Sequence, residues 1–292
     1  HRSEWVDPIS VAYRDRVLHE IPPNGQGLAA QIALALLAEG GPARFDTVAG
    51  VHRQIECMKI AVRASFDHFA DPAAMRLTPA ELLEPGSISR AANRIGARAS
   101  DLPPVALPVG HDTVYLCAAD AEGRMISFIQ SNFLGFGSGI VIPGTGISMQ
   151  NRGMGFSLDP EHPNCVGPGK RPFHTIIPGF VTEGGAPRLA FGVMGGHMQH
   201  QGHFQMVQRM FDHGENPQAA SDAPRWHVFP DFSVGLEPGF PEEIAKGLAD
   251  RGHSVRYVEQ EHVFGGAQLI LKTAHGYVAG SDHRKEGQAA GF

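Results

Sequence analysis

Three short stretches of the chain carry residues whose types and spacing suit chemistry. The first is His111-Asp112-Thr113-Val114-Tyr115. A Thr heading a strand, directly behind a linker, becomes a new N-terminus if the peptide bond before it is cut. A free α-amine has a pKa of about 8, well below that of a Lys amine, so it can take the proton from its own residue's hydroxyl. One residue then supplies both nucleophile and base. Taken alone, a β-branched residue here is also what strand propensity selects.

The second stretch is Gln130-Ser131-Asn132-Phe133-Leu134-Gly135-Phe136-Gly137-Ser138-Gly139. It closes a strand that pairs back onto the Thr113 strand, which puts Ser131 within reach of the Thr113 hydroxyl. Its glycines permit a tight loop close to a substrate, or simply mark a hairpin exit. The third is Gly192-Val193-Met194-Gly195-Gly196-His197, where a strand ends and a helix begins. Backbone N–H groups at such a place have no internal partner. Gly195 and Gly196 carry no side chain, so a carbonyl can approach them, as an oxyanion hole requires. The plainer alternative is a strand-to-helix turn.

These stretches need a scaffold, and the sequence has two textures. Residues 1–112 read as mostly helical. A turn at Ile21-Pro22-Pro23-Asn24-Gly25 leads to a helix over Leu28 to Glu39, which Gly40-Gly41-Pro42 ends. Apolar Val48, Val51, Ile55, Met58 and Val62 recur at helical steps within Phe45 to Phe69. Thr78-Pro79-Ala80-Glu81 opens a third helix, and 99–110 is a Pro-punctuated linker. Residues 113–292 read as strand pairs alternating with helices. The pairs are Thr113 to Ala119 with Met125 to Gln130, Ile176 to Val181 with Leu189 to Gly192, and Ala267 to Lys272 with Tyr277 to Gly280. Helices are expected over His197 to Phe211 and Glu242 to Arg251. This pattern predicts an α+β sandwich with helices outside the sheets.

Composition narrows the function classes. The chain of 292 residues is 42% hydrophobic and 18% charged, a globular balance, with a net charge of -6. No Lys/Arg run interrupts the acidic balance, which argues against a nucleic-acid partner. No apolar run is long enough to span a membrane. Cys57, Cys117 and Cys165 show no metal-type spacing, and their odd number argues against a disulfide framework.

The ordered matches run through the whole second half. They are Asp112-Thr113, Gly137-Ser138-Gly139, Pro143-Gly144-Thr145-Gly146, Gln150-Asn151, Pro168-Gly169-Lys170-Arg171-Pro172, Gly195-Gly196, Asp222-Ala223-Pro224-Arg225 and Ala290-Gly291-Phe292. Upstream, Pro22-Pro23-Asn24-Gly25-Gln26-Gly27 and Glu56-Cys57-Met58-Lys59 fit the same order. Together they resemble the gamma-glutamyltransferase (gamma-glutamyltranspeptidase, glutathione hydrolase) family of N-terminal-nucleophile (Ntn) hydrolases. The resemblance implies an αββα four-layer sandwich and a zymogen that cleaves itself between Asp112 and Thr113. It implies Thr113 as nucleophile, Ser131 in the place of a supporting Thr, and Gly195 and Gly196 as the oxyanion-hole pair.

The resemblance further implies that 1–112 is the C-terminal part of a large subunit and 113–292 a complete small catalytic subunit. The rest of the large subunit is then a partner, in a heterodimer or a dimer of heterodimers, and it supplies an Arg for the substrate carboxylate. No cofactor is implied. A cytoplasmic rather than periplasmic location is expected, with the true N-terminus lying upstream.

The substrate side departs from the glutamyl-specific pattern. An acidic residue that holds the substrate ammonium is replaced by Gly155, before Phe156-Ser157, and a pair of serines by His174-Thr175. Arg152 stands where a neutral amide is usual. Asn132, Phe133, Arg152, Gly155, His174 and Thr175 are the candidate substrate contacts. A cation here favours a substrate carboxylate over an ammonium. The resemblance implies a small-molecule amide substrate, a gamma-glutamyl or related acyl amide, with oxamate or a glutaryl cephalosporin as alternatives within the family. Asp159 or Glu161, swinging in, would restore the ammonium site.

Two readings from other classes compete. One is an inactive fragment that only binds ligand. The other is a metal hydrolase using His197, His200 and His203, with His162 and His174 nearby in sequence. Yet His197 and His203 point about 240° apart on a helix, and no Glu stands among them as a base.

Overall fold

The computed structural model describes residues 3–41, 43–106 and 113–292. The chain opens with an antiparallel hairpin, β1 (Ile9–Tyr13) and β2 (Arg16–Glu20). Its two-residue turn is Arg14-Asp15, with Arg14 at φ 58°. Such turns normally announce themselves with Asn-Gly or Asp-Gly. Without that signal, the sequence pattern does not disclose these strands. The helical reading of the N-terminal portion therefore holds only from α1 onward.

Helix α1 (Gly27–Ala38) is buried on nearly every side. Helix α2 (Val48–His68) starts where the Thr47 hydroxyl accepts from the Gly50 N–H at 3.1 Å. The helix opening at Thr78 is only α3 (Pro79–Leu82), with the Thr78–Glu81 capping box intact. Pro85 has no N–H to continue it. Instead the Glu84 carboxylate caps a new helix, α4 (Pro85–Ala92), by accepting from the Gly86 and Ser87 N–H groups.

Strands β3 (Thr113–Ala119) and β4 (Met125–Ser131) form the second hairpin, in register Thr113↔Ser131. Next come β5 (Gly179–Glu183) and β6 (Ala186–Met194). β5 starts later than the sequence pattern predicts, after Pro178, which cannot donate to a ladder. Then follow α5 (Met198–Phe211), α6 (Pro217–Asp222), β7 (Trp226–Val228), β8 (Val234–Leu236), α7 (Glu242–Asp250) and β9 (Val255–Tyr257). β10 (Gly266–Thr273) and β11 (Gly276–Ser281) close the chain's regular structure. The strands β7 to β9 are too short for a periodicity signal and form a small sheet of their own.

One antiparallel sheet in the order β1-β2-β5-β6-β10-β11 organises the molecule. Helices α1 and α5 pack along it. The β3–β4 hairpin lies against β6 and β10. Tyr115 lies so close to β6 that a Cβ on Gly192 would meet its ring at 2.4 Å. The Ser127 hydroxyl donates to the Phe191 carbonyl at 3.2 Å, on the same strand. Along β3, inward Thr113, Tyr115 and Cys117 alternate with exposed Val114 and Leu116, the period-2 signature of a strand with one covered face.

Helix α5 is buried yet carries four glutamines and two histidines. Two of those glutamines, one turn apart, satisfy the backbone of β7. Gln201 exchanges bonds with Val228 N and O, at 2.8 and 3.0 Å. Gln205 does the same with Trp226 N and O, at 3.3 and 2.9 Å. Buried polar groups are tolerated when paired in this way.

Candidate active site

The site forms where the β3–β4 hairpin meets the C-terminal end of β6. Ser127 sits at Phe191 and Tyr115 at Gly192. Moving two residues from Tyr115 to Thr113 therefore moves toward Gly195 and Gly196. The Thr113 hydroxyl donates to the Ser131 hydroxyl at 3.1 Å. The cross-strand register places the two residues directly opposite each other. Asp112 lies outside the described residues, so the proposed scissile bond is seen only from its Thr113 side.

Ser131 gathers further donors. The Phe133 N–H reaches its oxygen at 2.9 Å and Arg152 Nη2 at 3.4 Å. Phe133 adopts φ 79°, a left-handed conformation that turns the chain back on the hairpin end. Its ring lies beneath the Arg152 guanidinium, 4.2 Å from Cζ to the centroid. The Asn132 carbonyl accepts from Asn151 N at 3.1 Å, and Asn151 Oδ1 accepts from Leu134 N at 3.1 Å. Asn151, a motif residue with no role assigned from sequence, thus pins the loop after β4.

Arg152 is only 2% exposed. Its Nη1 donates to the Thr175 hydroxyl at 2.6 Å, and among the described residues its Nε meets no acceptor. Burial pushes its pKa down to about 10, still far above neutrality, so the cation persists. Burial, with the Arg152 charge second, lowers the His174 imidazole to about 3. His174 Nδ1 accepts from Ile176 N at 3.2 Å. The neutral ring therefore carries its proton on Nε2, as a donor.

At Gly195 the backbone has φ 137°, and at Gly196 φ 59°. A Cβ on Gly195 would meet Gly265 Cα at 2.8 Å, so only glycine fits. Among the described residues neither the Gly195 nor the Gly196 N–H meets an acceptor. Their carbonyls are engaged by the first turn of α5, through Met198 N and Gln199 N.

The sequence assigned no site role to Gln26. Its buried amide donates to Gly196 O at 2.8 Å and to Thr175 O at 2.7 Å, while Oε1 accepts from His200 Nδ1 at 2.9 Å.

Gly155 belongs to a neighbouring cavity of about 380 Å³, lined also by Phe66, Phe69, Met154 and Phe173. Thr113 is not in its wall. A Cβ on Gly155 would meet Phe173 O at 2.8 Å, so a side chain there needs the backbone to shift. Asp159 and Glu161 sit on an exposed turn, where Asp159 Oδ1 accepts from Glu161 N at 3.0 Å. Neither makes an ion pair with the site.

The α5 histidines separate as helix geometry requires. His197 stacks on Phe173, His200 binds Gln26, and His203 binds Glu20. Among the described residues, ligand-type atoms converge instead at His52, Glu56 and His253, all within 4.8 Å. His52 Nε2 faces Gly96 O at 2.9 Å and must donate, so Nδ1 accepts from His253 Nε2 at 2.8 Å. The Lys59 ammonium lies 3.2 Å from Glu56 Oε1. That cluster already holds its cation.

The family model of gamma-glutamyltranspeptidase matches residues 1–292. The chain is 35% identical to the "Glutathione hydrolase-like YwrD proenzyme" of Bacillus subtilis, over 100% of its own length and 57% of the relative's. It is 32% identical to the "Oxamate amidohydrolase proenzyme" of Klebsiella pneumoniae, over 100% of this chain and 56% of that one. A crystal structure of cephalosporin acylase from Bacillus halodurans superimposes with a TM-score of 0.91 at 46% identity, covering 99% of this chain and 54% of the other. The chain thus spans about half the length of these relatives. The layers described above are those of the α+β, αββα Ntn-hydrolase sandwich. On the match across its whole length, this chain belongs to the gamma-glutamyltranspeptidase family.

Proposed function

We propose that this chain carries the reactive end of a Thr-nucleophile amidohydrolase or acyltransferase that acts on amides of carboxylate-bearing acyl groups. The observation that carries the reaction is the Thr113 hydroxyl, paired with Ser131 at the strand head that runs toward two unengaged glycine N–H groups.

In a precursor, the Thr113 hydroxyl adds to the Asp112 carbonyl, and the Asp112 C–Thr113 N bond breaks as the ester forms, which frees the α-amine. Water then hydrolyses the ester to an Asp112 carboxylate and a free Thr113 hydroxyl. In turnover that amine takes the Thr113 hydroxyl proton while Oγ1 adds to the substrate carbonyl. The Gly195 and Gly196 N–H groups hold the oxyanion. Collapse expels the leaving amine, which takes the proton, and leaves an acyl ester on Thr113. Water or an acceptor amine then releases the acyl group by the same proton path. Residues 1–112 act as the end of the large subunit, completed by the rest of the precursor in a processed heterodimer.

Arg152 sets the acyl preference. It is a buried cation beside the nucleophile whose guanidinium, among the described residues, donates only to hydroxyls. A carboxylate on the acyl side of the scissile amide would pair with it, as glutaryl or oxalyl groups offer. Nothing acidic stands at Gly155 to hold a glutamyl ammonium. This favours the oxamate or glutaryl reading over a strict glutathione enzyme.

The test has two arms. The full-length precursor should appear by intact mass as two chains split before Thr113, and Thr113→Ala as one. A variant still split there removes the proposal. Glutaryl anilide should be turned over at least as fast as gamma-glutamyl anilide. A glutamyl preference beyond about a hundredfold exceeds what one charge-assisted contact supplies and overturns the acyl assignment.

A further inference from the structure

Gln26 lies in no strand and touches no proposed reacting atom, yet it sits between the two halves of the site. Its backbone is fixed first. Gln26 N donates to His174 O at 3.0 Å, and His174 N donates to Asn24 O at 2.9 Å. Asn24 Nδ2 in turn reaches Pro172 O at 2.6 Å. The segment ahead of α1 is therefore zipped onto the segment that bears His174 and Thr175.

The side chain then points across to the oxyanion loop. Thr175 O and Gly196 O are acceptors only, so the amide nitrogen must face them, and its two protons are both used. The remaining amide oxygen accepts from His200 Nδ1, which fixes that ring's tautomer. Both amide protons and one lone pair of the Gln26 oxygen meet partners, and the flipped amide would lose both bonds to the carbonyls.

We infer that Gln26 is a positioning residue that holds the oxyanion loop in register with the substrate-carboxylate side of the site. The inference rests on the Thr113 reading given above. Holding Gly196 O fixes the plane of the peptide after Gly196 and, with it, the left-handed turn that aims the Gly195 and Gly196 N–H groups. Holding Thr175 O fixes the residue whose hydroxyl accepts from Arg152 Nη1, and Arg152 Nη2 closes the chain at Ser131 beside Thr113. One amide thus spans the distance between the groups that bind developing charge and those that bind the acyl carboxylate. A loop that is merely folded, without this tie, has two glycines free to swing.

The test uses the full-length, processed enzyme. Gln26→Leu keeps the size and removes both donors. The expected result is a fall in kcat of about tenfold to hundredfold, the scale of a misplacement of about 1 Å, with KM within about threefold and the protein folded by circular dichroism. Gln26→Glu, which repels both carbonyls, should fall at least as far. His200→Phe, which leaves both Gln26 donor bonds but removes the donor that orients its Oε1, should lose about three- to tenfold in kcat, on the way to the full misplacement. His200→Asn restores a donor at the Nδ1 position and should recover most of that loss. A purely structural role would lower the melting temperature without this split between kcat and KM and without the His200→Asn recovery. If Gln26→Leu does not fold, the His200 pair decides. Unchanged kcat in a folded Gln26→Leu or in His200→Phe overturns the inference. Loss of all dependence on Thr113 would instead overturn the underlying reading, so the two failures are distinguishable.

Discussion

Two buried arginine sites of this molecule look alike in burial and differ in what surrounds the charge. Arg225 and Arg284 lie beneath the C-terminal segment in a closed network. Arg225 Nη2 meets Asp282 Oδ2 at 2.5 Å, and Arg284 grips both Glu237 oxygens at 2.5 and 2.6 Å. Carbonyls of Ser221, Ala223 and Phe264 take further guanidinium protons. Arg152, equally hidden, meets two hydroxyls and an aromatic face. Among the described residues, no carboxylate is in ion-pair range of it. Burying a charge is unfavourable unless it is paired. The first site therefore has its carboxylates in place, whereas the second, among the described residues, has none. That contrast separates a residue that holds the fold from one that awaits a ligand.

The largest effect expected lies at the nucleophile. Thr113→Ala should lower turnover by about 10⁶, the scale seen when a covalent nucleophile is removed. The uncut variant should melt no lower than the processed parent in calorimetry, because Thr113 closes no buried charge. A variant that keeps turnover but melts early would make Thr113 a structural residue.

Next in size, Arg225→Met leaves Asp282 buried with one partner fewer and should cost about 3–5 kcal/mol in urea unfolding. A cost below about 1 kcal/mol, the range of an exposed pair, would erase the contrast between the two arginine sites.

Arg152→Met is the matched experiment. It should leave stability unchanged or raised, because an unpaired buried cation is replaced by an apolar chain. Steady-state kinetics on glutaryl anilide should show kcat/KM lower by about tenfold to a hundredfold, from the lost charge-assisted contact. A loss of stability as large as that of Arg225→Met would show that Arg152 is paired after all.

Acid separates the regions by the smallest margin. Burial works to raise the Asp282 carboxyl, but the Arg225 and Arg284 charges, with the Ala267 and Arg284 N–H groups, together hold it down at about 2, below its unfolded value. Its contribution is in place above about pH 4 and is lost as pH falls through about 2. His174, held neutral with a value of about 3, behaves differently. The unfolded chain takes up its proton first, so stability declines from about pH 6.5 down to about 3, at up to about 1.4 kcal/mol per pH unit for one proton. Burial gives His253 the same window. Denaturant midpoints measured from pH 7 to 3 should therefore show a shallower decline in His174→Gln than in the parent. An unchanged slope would mean that His174 is protonated in the folded state.

Much of this arrangement is legible in the sequence, for local reasons. The Thr113 to Ala119 strand has the observed bounds, because Ala121-Glu122-Gly123 marks its turn and alternation marks its faces. The helix after Gly196 and the glycine pair ahead of it are likewise local signals. The β1–β2 hairpin is not legible, because Arg14-Asp15 gives no turn signature. The break before α4 is written in Pro85, although the Thr78 cap alone suggests a longer helix.

The sequence by itself determined the strand that begins at Thr113, the glycines that open a backbone to a substrate, and the order of motifs that marks the family. Each is a matter of neighbours in the chain, where propensity and steric freedom act over a few residues. Only the tertiary structure decided that Arg152 is buried with no carboxylate among the described residues, that Gly155 faces a separate cavity, and that Gln26 grips Gly196 from 170 positions away. Whether a charge is satisfied, or an amide spent, depends on which acceptors arrive from distant segments. Hydrogen bonds reach about 3 Å in space and take no account of distance along the chain.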